Sequence, residues 1–429
     1  MISTFVVVTL FSVLIGALIA GVPIAFALGL TGVVTIVTAS GPAFLVQVPL
    51  TVTRALSDPV MLAMPLYILM GEILYRGRVG NQLFDVASAW VGRLRGGTGV
   101  SAVMAFTFFA AIVGSSMASV LTIGRIALPE MERAGYPKKL SYGLSVVGGS
   151  LGILIPPSIP LIIYASLTSA SPSQLFLAGI IPGLMIAGML ALWSVFSAPK
   201  QDFSDMPAWS AKEAWGKTWA ALPDLALPII VLGGIYLGVY TPTEAAAVGV
   251  ILALLLTMGL RRTITIHDIL DVLISAARHS VALLSIVIGA LILGSALTLI
   301  GLPQMLAGYV STAGFEPWMV LLIMVIIWVI LGFFLEVISI ILITVPVFAP
   351  IAMALGFDMV WFGILMVLCM EMAVITPPLG MNLFALKAIL PDERLEEIIR
   401  GTLPSLLVVL IALLLVWNFP QIALFLTGR

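Results

Sequence analysis

Apolar residues dominate the chain in long stretches that short polar turns separate. The uninterrupted stretches are about 17–26 residues long, and about 20 apolar residues in a helix cross the hydrocarbon core of a bilayer. The pattern therefore predicts an all-α polytopic membrane protein. The predicted segments lie near 4–20, 23–39, 59–76, 98–131, 139–168, 174–196, 225–241, 243–260, 276–301, 317–354, 359–389 and 402–426.

The start of the chain follows the same pattern. Met1-Ile2-Ser3-Thr4 carries no basic residue, and the apolar run continues past any plausible cleavage position. We therefore expect a first membrane helix here and not a cleavable signal peptide.

The order of the segments repeats once along the chain. Proline and glycine landmarks of the first half fall on equivalents in the second half after a shift of about 221 residues, and matches in one order indicate a duplication. The matching pairs are Pro23 with Pro242, Pro129 with Pro350, Gly135 with Gly356, Pro156-Pro157 with Pro377-Pro378, and Pro182 with Pro404. We expect two repeats, residues 1–198 and 220–429, joined at 199–219 by a tryptophan-containing connector that lies at the membrane interface.

The positions of the basic residues predict the topology, because basic segments face the cytoplasm. Basic residues flank segment 98–131 on both sides, whereas segment 317–354 is flanked by Glu316 and Asp358. Each segment is thus predicted to enter and leave on one face as a re-entrant hairpin, and the two hairpins enter from opposite faces. Each half then crosses five times, which inverts the second repeat and places both termini outside the cytoplasm. The basic positions are Arg76, Arg78, Arg93, Arg95, Arg133, Lys138, Lys139, Lys200, Arg261, Arg262, Arg394 and Arg400.

Composition excludes several functional classes. Of the 429 residues 61% are hydrophobic and 9% are charged, whereas a soluble protein carries about 25% charged residues. A cytosolic enzyme, a secreted domain and a nucleic-acid-binding protein are thereby excluded, and the net charge of −1 supplies no basic surface for phosphates. One cysteine and two histidines are too few for a thiolate or histidine metal site.

The candidate chemistry lies at the interruptions of the apolar segments. Small and hydroxyl residues at 114–119 separate the two arms of the first hairpin, and Pro156-Pro157 breaks the next segment after the glycines of 148–152. Proline leaves upstream carbonyls without helical donors, and hard cations such as Na⁺ prefer oxygen ligands. Helices that restart after a break direct positive dipole ends at the midplane, which favours an anion. The corresponding interruptions of the second half are 332–336 and 376–382.

Other interpretations of these residues stay open. Small residues at 114–119 also suit plain helix packing. Glu336 and Glu371 lie in apolar stretches, where an acid is a functional candidate by default, but either could be structural. Arg125 could contact an anionic substrate or pair with Glu130 near the cytoplasmic interface. Four further residues are expected to be structural: Glu72 in an ion pair with Arg76 or Arg78, His267 at the surface, and His279 and Cys369 in packing.

Ordered motifs across essentially the whole chain resemble one family, the large membrane subunit of TRAP transporters, or dicarboxylate-type large permease. The first-half motifs are Gly114-Ser115-Ser116, Gly124, Pro129-Glu130-Met131, Gly135-Tyr136 and Ile155-Pro156-Pro157-Ser158-Ile159. The second-half motifs are Thr241-Pro242-Thr243-Glu244-Ala245-Ala246-Ala247 and Thr376-Pro377-Pro378.

The resemblance implies a function that composition cannot give. Such subunits take up organic acids, including C4-dicarboxylates, keto acids and sialic acids, across the bacterial inner membrane, driven by a sodium gradient and without a cofactor. They work with a small four-helix membrane subunit and a periplasmic substrate-binding protein. The resemblance also implies an elevator mechanism. We expect the small subunit to be a separate chain.

The resemblance also implies site residues. One sodium site would use Ser115 and Ser116 with backbone at Gly152, Ile155 and Pro157. A second would use Gly332, Ala373, Thr376 and Leu379, and Ala373 departs from the glycine expected there. The candidate substrate-binding residues are Ser115, Ser116, Ser119, Arg125, Ser158, Met381 and Asn382.

Two other functions are open to a membrane protein of this kind. A stand-alone carrier with similar repeats would need no binding protein, and the motif at 241–247 argues against it. An intramembrane enzyme would need an acid dyad or a nucleophile with its base. Glu336 and Glu371 are the single candidate acid pair in the sequence. We therefore expect a transporter and not an enzyme.

Overall fold

The structure is a computed structural model that describes residues 4–199, 209–312, 314–378 and 380–428, and every regular element in those ranges is helical. The first-half helices are α1 (Thr4–Ile19), α2 (Ile24–Ser40), α3 (Gln47–Ser57), α4 (Pro59–Arg76), α5 (Gly80–Val91), α6 (Gly97–Val113), α7 (Ser116–Arg133), α8 (Lys138–Ser150), α9 (Ile159–Thr168) and α10 (Pro172–Ser197). The remaining helices are α11 (Ala211–Ala220), α12 (Leu222–Tyr236), α13 (Pro242–Leu254), α14 (Ile266–Leu299), α15 (Leu302–Thr312), α16 (Pro317–Gly332), α17 (Val337–Ala354), α18 (Met359–Ile375), α19 (Met381–Ile389), α20 (Leu395–Asn418) and α21 (Gln421–Leu424).

The two predicted hairpins and the two predicted broken segments form helix pairs. A shift of 221 residues carries the bounds of α7 onto those of α17. The same shift carries α8 and α9 onto α18 and α19 to within a few residues at each end. Both breaks coincide with the Pro-Pro pairs, because a helix cannot pass two residues that lack an amide donor.

Three helices and the bounds of α14 and α20 differ most from the sequence prediction. Helices α3, α5 and α15 lie in stretches that the prediction left as connections, since they are short and partly polar. Helix α14 begins at Ile266 and not near 276, because Thr265 and Asp268 form a capping box there. The segment predicted near 402–426 begins at Leu395 and ends at Asn418, just before Phe419-Pro420.

The two halves also differ at one break. In the first half Asp58 caps α4 and Pro59 is its first residue, so α3 and α4 are separate helices. The shifted positions carry Arg278, His279 and Ser280, which permit a helix, and α14 continues through them as one helix of 34 residues.

The exposed surface of several helices is apolar, as a bilayer requires. Phe26 on α2 and Ile229 on α12 are about 70% exposed. Within the described ranges six helices are long and apolar enough to cross a membrane, and the bent pair α11 and α12 would be a seventh span. The chain is therefore a multi-pass membrane protein.

The helices pack in two groups. We call α1, α2, α4, α12, α13 and α14 the peripheral helices, which pack on one another. We call α6–α10 and α16–α20 the central helices, among which α8 and α18 are buried along almost their whole length. The hairpins cross between halves, because α17 packs on α9 and α7 packs on α19. The groups meet where α14 touches α17, α4 touches α9 and α6, and α12 touches α6.

The connector packs on the first half through aromatic rings. The ring centroids of Trp90 and Trp215 lie 5.5 Å apart, and the Trp209 indole donates to the Ala89 carbonyl at 3.1 Å. Residues 200–208 of the predicted connector lie outside the described residues.

Candidate functional site

The tip of the first hairpin is a tight turn between α6 and α7. Gly114 ends α6 with φ +63°, a conformation that glycine adopts at low cost. Ser115 then caps α7, and its hydroxyl accepts from the Ala118 amide at 3.5 Å. The Ser119 hydroxyl donates to the Ser115 carbonyl at 2.8 Å. Ser119 is thus engaged inside its own helix and fully buried.

The break between α8 and α9 leaves backbone oxygens available. Pro156 has no amide, so the Gly152 carbonyl four residues earlier lacks its helical donor. The Ser158 hydroxyl donates to the Ile153 carbonyl and is fully buried. Ser158 therefore holds the break together and does not face the cavity described below.

The first tip and the first break touch through their backbones. A Cβ atom added at Gly152 would lie 2.8 Å from the Ser115 carbonyl oxygen, and one added at Gly114 would lie 2.4 Å from the Pro157 carbonyl oxygen. These contacts bring together Ser115, Gly152 and Pro157, three of the residues predicted for the first sodium site. Ile155 lies in the same break with its side chain packed on Gly183.

The second half repeats this arrangement with different side chains. A Cβ atom added at Gly332 would lie 2.1 Å from the Ala373 Cβ, so the second hairpin touches the second break. Thr376 donates its amide to the Ala373 carbonyl at 3.3 Å and its hydroxyl to the Met372 carbonyl at 2.5 Å. Leu379, also predicted for this site, lies outside the described residues.

Both hairpin tips line one cavity of about 600 Å³, which we call the tip cavity. The first tip contributes 113–118, and the second contributes Glu336 and the two residues after it. The two breaks contribute Ile153, Ile159, Pro160 and Met381, and the opposite wall comes from α4 and α14. This cavity lies at the interface between the central and the peripheral helices.

The predicted substrate residues fall into two sets. Ser115, Ser116 and Met381 line the tip cavity. Asn382 is fully buried, and its amide nitrogen donates to the Val146 carbonyl at 3.1 Å, so this residue joins α19 to α8. Its side-chain oxygen is buried and has no hydrogen-bond partner among the described residues.

Arg125 lies elsewhere. It lines a second cavity of about 470 Å³, together with Arg76 and Arg78. Glu130 pairs with Arg133 at 2.6 Å, so the alternative pairing of Arg125 with Glu130 is not formed. A residue three positions along the helix is a nearer neighbour on its surface than one five positions back.

Two ionisable residues of the tip cavity, Glu72 and His279, were expected to be structural. Glu72 pairs with Arg76 at 3.8 Å, as predicted, yet it also lines the tip cavity. His279 was expected in packing but is an exposed residue of the cavity wall, with Ser275 one turn before it. A polar face on the continuous α14 was the available signal, since 275 and 279 are four residues apart.

Glu371 is buried in α18 against α8. The Ser150 hydroxyl donates to one carboxyl oxygen at 3.4 Å, and the other oxygen has no hydrogen-bond partner within the described chain. No Lys, Arg or His of the described residues lies within ion-pair distance of it.

Comparison with known proteins shows which family has sequences similar to this chain. Residues 11–422 match the family described as the tripartite ATP-independent periplasmic transporter, DctM component. The chain is 38% identical to the C4-dicarboxylate TRAP transporter large permease protein DctM of Pseudomonas aeruginosa over 397 residues, 92% of each chain. It is 32% identical to the sialic acid TRAP transporter large permease protein SiaM of Vibrio cholerae over 414 residues, 96% of each chain.

A solved structure shares the fold. The YdaH transporter of Alcanivorax borkumensis superposes with a TM-score of 0.59, covering 86% of this chain and 90% of that one. The sequences are 15% identical, so this likeness concerns the fold alone.

Proposed function

The chain belongs to the DctM component family of tripartite ATP-independent periplasmic transporters, and on that premise we propose that it takes up a small organic acid anion by sodium symport. The observation that supports the proposal most is the tip cavity, into which both hairpin tips project. Two relatives are named for C4-dicarboxylate and for sialic acid, and both of these compounds carry carboxylates. We propose a carboxylate substrate of this class.

Sodium would bind where each hairpin touches a Pro-Pro break. Oxygen ligands suit Na⁺, and each break lies within reach of backbone carbonyls and at least one hydroxyl. Ser115 and Ser116 with the backbone at Gly152, Ile155 and Pro157 would form the first site. Gly332, Ala373, Thr376 and Leu379 would form the second. With both ions bound, the neighbouring tips carry positive charge toward the cavity and favour an anion there.

The substrate would cross by an elevator movement of the central helices against the peripheral helices. The two groups meet at few helix pairs, and the tip cavity lies between them. The bounds of α7 and α17 coincide after the shift of 221 residues, which supports two repeats. The opposite charges that flank the two hairpins support an inverted orientation of the repeats. Both termini would then lie on the periplasmic side of a bacterial inner membrane.

Two partners are part of the proposal. A small four-helix membrane subunit would pack on the peripheral helices, and a periplasmic binding protein would deliver the substrate. Substrate selection would lie mainly with the binding protein.

Reconstitution tests the proposal directly. Proteoliposomes that hold this chain and its small subunit should take up a labelled organic acid when the binding protein and an inward sodium gradient are both present. Uptake without the binding protein would show a stand-alone carrier. Uptake unchanged when sodium is replaced by potassium would overturn the sodium coupling while leaving the transporter class intact.

A further inference from the structure

The second cavity is a basic concave surface that adjoins the tip cavity. Three arginines line it, and we call it the arginine cavity: Tyr75, Arg76, Arg78, Asn81, Leu121, Thr122, Arg125 and Ile126. Tyr75 and Leu121 line both this cavity and the tip cavity. The two cavities therefore adjoin, with one side chain from α4 and one from α7 between them.

The charges of the two cavities are opposite. Glu72, Glu336 and His279 are the ionisable residues, apart from tyrosine, among the described lining of the tip cavity, and that lining includes no Lys or Arg. In the arginine cavity, Arg76 forms an ion pair with Glu72, with 3.8 Å between Nε and Oε1. Arg78 and Arg125 have no carboxylate within 4.0 Å in the described parts of the chain. Two guanidinium groups are thus available to an anion.

The local backbone holds these two arginines at one place. The chain turns between α4 and α5, and a Cβ atom at Gly80 would lie 2.9 Å from side-chain atoms of Thr122 and Ile123, so the turn packs tightly on α7. Arg78 has φ +57°, a left-handed conformation that costs most residues about 1 kcal/mol or more. Glycine or asparagine would adopt this conformation at a lower cost, so the arginine here points to a use for its side chain.

We infer that the arginine cavity is an exit site, where Arg78 and Arg125 bind a carboxylate of the transported anion after it leaves the tip cavity. Guanidinium groups bind carboxylates through paired hydrogen bonds. The positive potential of the arginines also attracts the anion from the tip cavity past Tyr75 and Leu121. The inference rests on the proposed function and the proposed topology, which places these arginines at the cytoplasmic end.

A labelling assay tests the site without requiring transport. Asn81→Cys places a thiol in the arginine cavity, and the native Cys369 is fully buried, so a neutral maleimide should report on position 81 alone. Succinate serves as the carboxylate probe, with ionic strength held constant by chloride. At its dissociation constant succinate fills about half of the sites, so labelling should slow about twofold.

The arginine variants give the decisive comparison. In the Arg78→Gln/Arg125→Gln background, succinate should no longer slow the labelling of Asn81→Cys. Arg54→Gln is the matched control, since Arg54 is exposed on α3 and lines neither cavity. Protection that persists in the double variant, or that never occurs, would overturn the exit site.

Two further measurements, one with lipid and one of transport, distinguish a carboxylate site from a lipid site and the exit site from the sodium coupling. Labelling in phosphatidylcholine vesicles with and without cardiolipin shows whether a lipid headgroup fills the cavity. Protection by cardiolipin alone, without protection by succinate, would overturn the inference in favour of a lipid site. Succinate protection in a preparation whose uptake needs no sodium would leave the exit site standing and remove the sodium coupling.

Discussion

The Ser115 hydroxyl has one observed role, as a helix cap, and one proposed role, as a sodium ligand. It caps α7 and also lines the tip cavity beside Ser116. A cap is satisfied by any Ser, Thr, Asp or Asn, whereas an ion site needs the oxygen at a set distance from other ligands. Ser115→Asn would keep a cap and move the oxygen, whereas Ser115→Ala removes both the cap and the oxygen.

Removing both hydroxyls should weaken sodium activation. Ser115→Ala/Ser116→Ala is expected to raise the half-saturating sodium concentration about tenfold, which corresponds to about 1.4 kcal/mol of lost binding free energy. Uptake in proteoliposomes against sodium concentration measures this shift. Ser101→Ala is the control, because Ser101 is buried in α6 and donates to its own helix at 2.8 Å. An unchanged activation curve in the double variant would remove these hydroxyls from the site.

Gly114 tests whether the contact of tip and break matters beyond backbone conformation. Gly114→Ala would place a Cβ atom on a residue with φ +63° and only 2.4 Å from the Pro157 carbonyl oxygen. The substitution should therefore abolish sodium-dependent uptake. Gly135 shares the conformation, with φ +74°, but has open space around its Cβ position. Gly135→Ala should cost roughly 1–2 kcal/mol of stability and keep uptake.

Thermal unfolding in detergent and uptake should be measured on both glycine variants. Equal loss of uptake in the two would show that backbone conformation, and not the approach to the break, is the cause.

At the scale of elements, a buried ion pair joins α12 to Arg261, the residue that follows the helical span Pro242–Leu260. Asp224 is fully buried and pairs with Arg261, which also donates to the Ala220 carbonyl at 2.8 Å. Removing one partner of a buried pair leaves an uncompensated charge, which costs about 3–5 kcal/mol. Arg261→Gln should therefore lower the unfolding temperature strongly, while Asp224→Asn/Arg261→Gln should recover much of the loss.

An exposed pair on the neighbouring helix is the control for this prediction. Lys217 and Glu213 lie 3.1 Å apart with side chains 43% and 59% exposed. Lys217→Gln should cost less than about 1 kcal/mol, because water screens exposed pairs. A similar shift of unfolding temperature in both variants would contradict the importance of burial.

Element positions followed largely from the sequence, and the contents of the cavities did not. Pro156-Pro157 and Pro377-Pro378 fix both breaks locally, since proline removes amide donors wherever it occurs. Which side chains face a cavity depends on packing between distant helices. The packing role expected for His279 and the alternative pairing of Arg125 with Glu130 were wrong for this reason, because the cavities that these residues line are formed with other parts of the chain.

At the scale of the whole molecule, the proposed elevator requires the central helices to slide against the peripheral helices. Helices α14 and α17 touch across that boundary at Gly294 and Pro346. A Cβ atom at Gly294 would lie 3.4 Å from the Pro346 Cβ, close to the 3.5–4.5 Å range of disulfides. The pair Gly294→Cys/Pro346→Cys should therefore crosslink the two groups on oxidation.

Oxidation of this pair should stop uptake, and reduction should restore it, because one covalent bond across the boundary blocks sliding. The control pair Val231→Cys/Gly249→Cys joins α12 to α13 within the peripheral helices, where a Cβ atom at Gly249 would lie 3.4 Å from Val231 Cγ2. Its crosslink leaves the boundary free, so uptake should continue under oxidation. Full uptake by a crosslinked Gly294→Cys/Pro346→Cys protein would mean that transport needs no movement at the α14–α17 contact, and the elevator proposal would then be wrong.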